Sequence, residues 1–499
     1  MPAPEAARGS FLDPLRIMNH ALIADLFESI DLAELVPASH AAYRPLVRDG
    51  LLYFLEKLEP ARLDAIVAEQ LALPPIIRSA LRLVVLFKRC PTLHKLGQVV
   101  AHDRRLDPEL RERLQELEST GSPTPIGDLD TTIRRELGAV ANLEIEPIAL
   151  AEASVAVVVP FVWRASPGSR PQRGVLKILR EGIADKLHEE LAIFGEIGSF
   201  LEQRRLHYGL PEFDYAGALD SVVRLLANEV RLDHEQHNLG VAGRFYAGSP
   251  AVLVPRLFPF CTDNITAMER VDGVKVTESG LTPAGRRRVA ETVVGALLAK
   301  PLWSRAESGV VFHADPHAGN LHVMQDGRVA ILDWALVAEI DKRQREAAIQ
   351  IIVGAVTLDV ERICRALEVL GEPLDTEGIK HAVSAAVDEV RRGRFPGIQW
   401  LTALLDKLAA GRMLRFPEAV ILFRKALLTL SGVIADVSDA PSIDSVVMLS
   451  GWYDFLGGLA FRPAAAVDSR GHGAHLSNVD LFGLWAGLPA TAARFWTGS

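Results

Sequence analysis

Over roughly the first 90 positions, apolar residues recur at three- and four-residue spacing, a pattern that predicts amphipathic helices. It runs through Leu22, Ile23, Leu26 and Ile30 and again from Leu51 to Leu73, with Pro74, Pro75 and Pro91 as punctuation. Asp107 followed by Pro108 predicts a helix start, because a capping carboxylate precedes a residue whose φ suits the first turn. Ser119 to Asp128, rich in Ser, Gly, Pro and Thr, predicts a loop.

From about Ile145 the period changes. PIALAEASVAVVVPFVWRA moves from small residues to a β-branched run, and VLKILR follows the turn-rich segment Ala165 to Gly174. This predicts two strands joined by an irregular turn. Helices are predicted from Ala184 to Arg205 and from Ser221 to Arg244, and AVLVPRLF and NITAMERVDGVKV predict two further strands. After Pro283 the helical pattern returns. It is interrupted by VVFHADPHAGNLHVMQDGRVAILDWALVAEI, where LHVM and VAIL predict short strands around QDGR. Asp341 is placed to cap the next helix, DKRQREAAIQIIVGAV. Strands in the middle with helices on either side predict an α+β chain, a small mixed lobe joined to a mainly helical one.

Composition narrows the function classes. Of 499 residues 49% are hydrophobic, enough for a sizeable core and too many for wholesale disorder. The net charge of −9 argues against nucleic acid, which calls for a basic face, yet an acidic chain can hold ATP through a local site and a metal ion. The three cysteines, Cys90, Cys261 and Cys364, are far apart and form no CxxC pair, so neither a disulfide framework nor a zinc site is expected. MPAPEAARGS is not a leader by its pattern, and Arg424 and Lys425 interrupt the longest apolar run, Ala419 to Val433. The expectation is a cytoplasmic protein with at most peripheral membrane contact.

The segment HADPHAGNLHVMQDGRVAILDW carries the chemistry. Phosphoryl transfer needs positioned metal ions, a cation on the phosphates and a group that orients the acceptor. Asp315 suits the last role. Asn320 and Asp333, on either side of the predicted hairpin, offer hard oxygens to magnesium. Asp-x4-Asn, a hairpin and a second Asp match the protein-kinase catalytic loop and its metal-binding aspartate. Lys177 in VLKILR and Glu235 in EVRLDHEQHN supply the lysine–glutamate pair that such a site requires. ALAEASVAV precedes Lys177, where small residues let backbone N–H groups approach phosphates. Two other readings remain open: His313, Asp315 and His317 as an HxDxH metal set, and a plain turn of Asp, Pro, Gly and Asn.

Together these residues resemble the UbiB-type, or aarF-domain, atypical kinase family over roughly Leu86 to Asp439. HADPHAGN looks like the family's catalytic loop with Ala318 in place of a second proline, and KLGQ (Lys95 to Gln98) matches its Lys-x-Gly-Gln signature. ALAEASVAV resembles its alanine-rich loop, and FPEAVILFRKALLTLSGV its C-terminal helical region. The resemblance implies a protein-kinase-like two-lobed fold with an N-terminal helical extension that folds over the active site. It implies Mg2+ and ATP or ADP as ligands and an acceptor that is a small molecule, a lipid-like compound or a peptide. It places Lys95 and Gln98 at the nucleotide, with Glu229 as the partner of Lys95. The resulting nucleotide-binding set is Lys95, Gln98, Ala151, Ala153, Ser154, Lys177, Glu229 and Glu269.

Departures from the family pattern are Arg231 for the aspartate of Glu-x-Asp, Val157 and Val159 for a Gln and a His, and Asp333-Trp334-Ala335 at the DFG position. Instead of the family's membrane-spanning tail, NVDLFGLWAGLPATAARFW, interrupted by Pro489, predicts a docking helix. The expected division is 1–85 extension, 86–140 lid with KLGQ, 141–275 N-lobe and 276–499 C-lobe. The expected activity is a kinase or ATPase, with a nucleotide-gated scaffold as the alternative. The phosphate acceptor and the oligomeric state are not encoded in any motif.

Overall fold

The computed structural model describes residues 36–74, 77, 79–100, 106–115, 126–152, 155–211, 215–438, 442–471 and 474–497. The helix expected around Leu22 to Ile30 and most of the loop from Ser119 lie outside them. The described residues divide into two units, one drawn from 1–234 and 258–270 and the other from 235–257 and 271–499.

In the first unit the extension and lid are helical: Arg44–Lys57, Pro60–Ala72, Ser79–Arg89, Pro91–Val100 and Pro108–Gln115. Pro60, Pro91 and Pro108 open three of these helices, where proline costs no hydrogen bond. Asp107 caps the last of them as its sequence predicts, its Oδ1 accepting from Glu109 N (2.9 Å) and Leu110 N (3.1 Å). Their apolar faces close around Leu83, Leu86, Leu110 and Leu114 and meet Phe194 and Ile197 of the long helix Ile183–His207.

One buried carboxylate ties this layer to that helix. Glu190, on Ile183–His207, has no side-chain exposure. It is paired with Arg62 and accepts from both the backbone N (2.9 Å) and the Oγ1 (2.6 Å) of Thr92. Burial pushes its pKa up despite these partners.

Seven strands follow: β1 (Leu143–Ile145), β2 (Ala151–Glu152), β3 (Ala156–Trp163), β4 (Gln172–Leu179), β5 (Val252–Leu253), β6 (Ile265–Glu269) and β7 (Gly273–Lys275). An antiparallel sheet in the order β1-β3-β4-β6, with β2 on β3, belongs to the first unit. Val157, Val159 and Phe161 of β3 and Leu176 and Ile178 of β4 bury one face, so the two valines that depart from the family pattern are core residues.

Two expected elements differ. The single helix expected from Ser221 to Arg244 is instead Tyr215–Ala227, a 3-10 turn Asn228–Val230 and a second helix Leu232–Tyr246. Asn228 and the β-branched Val230 are weak helix formers, and Arg231 N closes onto Asn228 O (3.2 Å), one residue short of the α-helical register. The strand expected over NITAMERVDGVKV divides into β6 and β7, which pair in different sheets. AVLVPRLF contributes only the two-residue β5.

The second unit holds the order β5-β10-β9-β7 and a separate antiparallel pair, β8 with β11. Here β8 is Val310–His313, β9 Leu321–Met324, β10 Val329–Ile331 and β11 Val337–Ile340. β9 and β10 form the hairpin expected around QDGR, with Gly327 at φ 84°. Asp341 and Gln344 form a capping box on Lys342–Val356, so that expectation also holds.

Around this lie Val360–Leu370, Thr376–Arg391, Ile398–Ala410, Glu418–Val437, Ile443–Gly458 and Asn478–Thr497, with Ile351, Ile363, Leu367, Val383 and Leu408 fully buried among them. The last helix runs through Pro489, which sequence reading takes as an interruption. Asp480 in its first turn accepts from Arg470 (Nε 2.8 Å) and from the backbone N and Oγ of Ser477 (both 2.9 Å), and pairs with Arg362. Among the described residues no helix is long and apolar enough to cross a membrane.

Candidate functional site

The chemistry-bearing segment lies wholly in the second unit, where β8 ends and β11 begins. His313, the last residue of β8, is 1% exposed. Its Nε2 lies 2.9 Å from Leu332 O and its Nδ1 accepts from Asp315 N at 3.2 Å. The first contact requires a proton on Nε2 and the second a lone pair on Nδ1, which makes this the neutral imidazole. Burial also lowers its pKa. Both nitrogens are thereby committed to backbone, and the ring staples the loop after β8 to the strand end before Asp333. This overturns the HxDxH reading, since His313 retains no lone pair for a metal.

Asp315 follows on the loop, with its backbone oxygen accepting from Asn320 Nδ2 at 3.1 Å. Asn320 is buried in the short turn Ala318–Asn320, and its backbone oxygen accepts from Leu332 N at 2.8 Å. One chain of hydrogen bonds therefore links Asp315, Asn320 and the residue before Asp333. Fixing the Asn320 NH2 on the loop leaves its amide oxygen as the group offered outward, the kind of hard donor that suits magnesium.

Asp333 is exposed and sits at φ 52°, the left-handed region. Its Oδ1 accepts from Ala335 N at 3.2 Å. Trp334 behind it is fully buried, with Nε1 donating to Ile331 O (3.1 Å) and its carbonyl accepting from Asn238 (3.0 Å). Its ring packs edge-on against His313 at 4.9 Å. The bulkier residue at the DFG position thus anchors the loop rather than distorting it.

Lys425 was missed by sequence reading. Its ammonium lies 2.9 Å from Asp315 Oδ1. In the sequence it only interrupts an apolar run, and the helix Glu418–Val437 that delivers it lies 110 residues along the chain.

In the first unit, Lys95 on Pro91–Val100 and Glu229 in the Asn228–Val230 turn meet at 2.9 Å, the contact that the resemblance leads one to expect. The break between the two helices is what presents Glu229. Arg231, in place of the expected acid, turns to Asp233 at 3.0 Å, and its guanidinium lowers the pKa of that carboxyl. Lys177 lies in β4 opposite Val158 and Thr266, Ala151 begins β2, and Glu269 ends β6. Glu235 is buried in Leu232–Tyr246 and belongs to the second unit. Ala153 and Ser154 lie outside the described residues. Gln98 is placed on its helix without a described side chain.

The chain is similar to known proteins. The model of the ABC1 atypical kinase-like domain matches residues 116–367. Protein ACTIVITY OF BC1 COMPLEX KINASE 3, chloroplastic, of Arabidopsis thaliana is 27% identical over 344 residues, which are 67% of this chain and 47% of that protein. An aarF domain-containing protein kinase, chloroplastic, of the same plant is 27% identical over 309 residues, 59% of this chain and 54% of that protein. A "Probable protein kinase UbiB" of Marinobacter nauticus is 28% identical over 264 residues, 50% of this chain and 45% of that protein. The chain spans about half the length of these curated relatives.

Proposed function

The chain belongs to the ABC1 atypical kinase-like family, and from that membership we propose that it binds Mg-ATP and transfers or hydrolyses the γ-phosphate. The supporting observation is the hydrogen-bonded chain from Asp315 through Asn320 to Leu332, which holds two candidate site residues together and ends one residue before the third, Asp333. Phosphoryl transfer asks for this kind of positioning more than for covalent chemistry.

In this reading Asp315 orients the acceptor hydroxyl or water and takes its proton. Asn320 Oδ1 and the Asp333 carboxylate would hold magnesium, which when bound supplies positive charge against the phosphate oxygens. The role proposed for Lys177 is at the phosphates, and that for Glu235 is the orienting carboxylate of the kinase pattern. Lys95, Glu229, Gln98, Glu269, Ala151, Ala153 and Ser154 carry the proposed nucleotide-binding roles. The acceptor is a small molecule, a lipid-like compound or a peptide, and the setting is cytoplasmic with at most peripheral membrane contact.

The test is phosphate release at saturating Mg-ATP, with and without candidate acceptors. Asp333→Asn is expected to lower the rate by about a hundredfold or more, a loss of roughly 3 kcal/mol of transition-state stabilisation, while the fold persists. Turnover unchanged in that variant sinks the assignment. Stabilisation by Mg-nucleotide without any release favours a nucleotide-gated scaffold, an alternative in keeping with the Arg231 departure.

A further inference from the structure

Lys425 and Asp315 are brought together by packing. Phe423 of Glu418–Val437 stacks edge-on against Phe312 of β8 at 4.9 Å, in the strand that leads into the catalytic loop. The next residue, Arg424, pairs with Asp406 at 2.8 Å. Lys425 then reaches Asp315 Oδ1 at 2.9 Å. Three consecutive residues thus face three fixed partners, and the first sits under the strand that carries the loop. His317 Nε2 stands 3.9 Å from the other carboxylate oxygen, Oδ2.

A half-exposed ion pair of this kind contributes little to stability, because water screens it and two side chains must be ordered. The pair bears instead on the direction of the carboxylate. The backbone of Asp315 is held by His313 and Asn320, whereas Lys425 acts on its carboxylate. Misplacement by about 1 Å at a reacting group can cost on the order of a hundredfold in rate.

We propose that Lys425 is a positioning residue of Asp315, holding Oδ1 so that Oδ2 is presented to the phosphate acceptor. This rests on the phosphotransfer reading above and adds to it a cation supplied from a distant helix. Lys425 acts through Asp315, so its effect depends on that carboxylate.

The experiment uses the full chain with Lys425→Met, Lys425→Arg, Asp315→Asn and the Met/Asn double variant, in phosphate release with Mg-ATP. Lys425→Met is expected to lower kcat about tenfold or more with KM for ATP changed less than about twofold, and Lys425→Arg to recover most of it. In the Asp315→Asn background, Lys425→Met should cause no further loss. A double variant slowed by the same factor as the single, or a change confined to KM, overturns the proposal.

A second readout needs no turnover. Trace acylation followed by mass spectrometry should label Lys425 several-fold faster in Asp315→Asn than in the unaltered protein, and equal rates overturn the pairing. Failure of the phosphotransfer reading would look different. The unaltered protein would release no phosphate from Mg-ATP with or without candidate acceptors, whatever the acylation contrast.

Discussion

Each unit fastens a helical segment near one end of the chain with a single buried carboxylate, and although burial raises the pKa of both, their net shifts are opposite. In the first unit Glu190 receives one arginine, Arg62, and two donors from Thr92. In the second Asp480 receives Arg470 and Arg362 together with two donors from Ser477. Burial is the largest influence on both. It prevails at Glu190, whose pKa is raised, whereas at Asp480 the bonds from Arg470 and Ser477 outweigh it and bring the pKa to about 2. Asp480 has an additional cation, a further neutral donor from Gln350 and shallower burial, and together these separate a carboxylate stabilised as an anion from one only tolerated as an anion.

Three measurements of local opening by hydrogen exchange can break or sharpen this contrast. The largest effect is expected for Arg62→Ala. Removing the cation leaves Glu190 charged and buried, which should destabilise the helices packed on Ile183–His207 by about 3–5 kcal/mol at neutral pH.

Asp480→Asn comes next. The native pKa near 2 lies below the ordinary 3.8, so the anion contributes stability that is fully present above 3.8 and lost as pH falls through 2. The variant should loosen the helix Asn478–Thr497 by about 2 kcal/mol at neutral pH, with the difference shrinking as pH drops below 3.8.

Glu190→Gln should be the mildest, under about 1 kcal/mol at neutral pH. A raised native pKa means that the stability linked to protonation is complete below 4.5 and lost as pH rises through the native value. Glutamine mimics the protonated form, keeps an acceptor for Thr92 and leaves Arg62 paired with Glu189. A cost for Glu190→Gln equal to that of Asp480→Asn would abolish the distinction.

Neither brace was legible in the sequence, and the reason is distance. Arg62 and Glu190 are 128 residues apart, and Arg362 and Asp480 are 118 apart. Each acid sits in a helix where it reads as one more solvated charge. Lys425 was hidden for the same reason, standing out only as an interruption among apolar neighbours. The β9–β10 hairpin, the Asp341 cap and the spacing from Asp315 to Asn320 were legible because their determinants lie within a few residues of one another. Lys95 and Glu229 form an intermediate case. Spacing alone does not connect them, and the family resemblance does. The helix break that presents Glu229 was missed because weak helix formers at Asn228 and Val230 interrupt an otherwise continuous apolar period only locally.

The left-handed backbone at Asp333 has a consequence for how this sequence is expected to drift. Glycine occupies that conformation freely, whereas a side chain there costs about 1 kcal/mol. A chain selected for robustness alone would lose the carboxylate at position 333 early, since its replacement by glycine relaxes the backbone. Its retention in so unfavourable a conformation is what selection for a task would produce. Position 333 is therefore where a descendant released from that task should change first, while Trp334 beside it stays in place to fill the core.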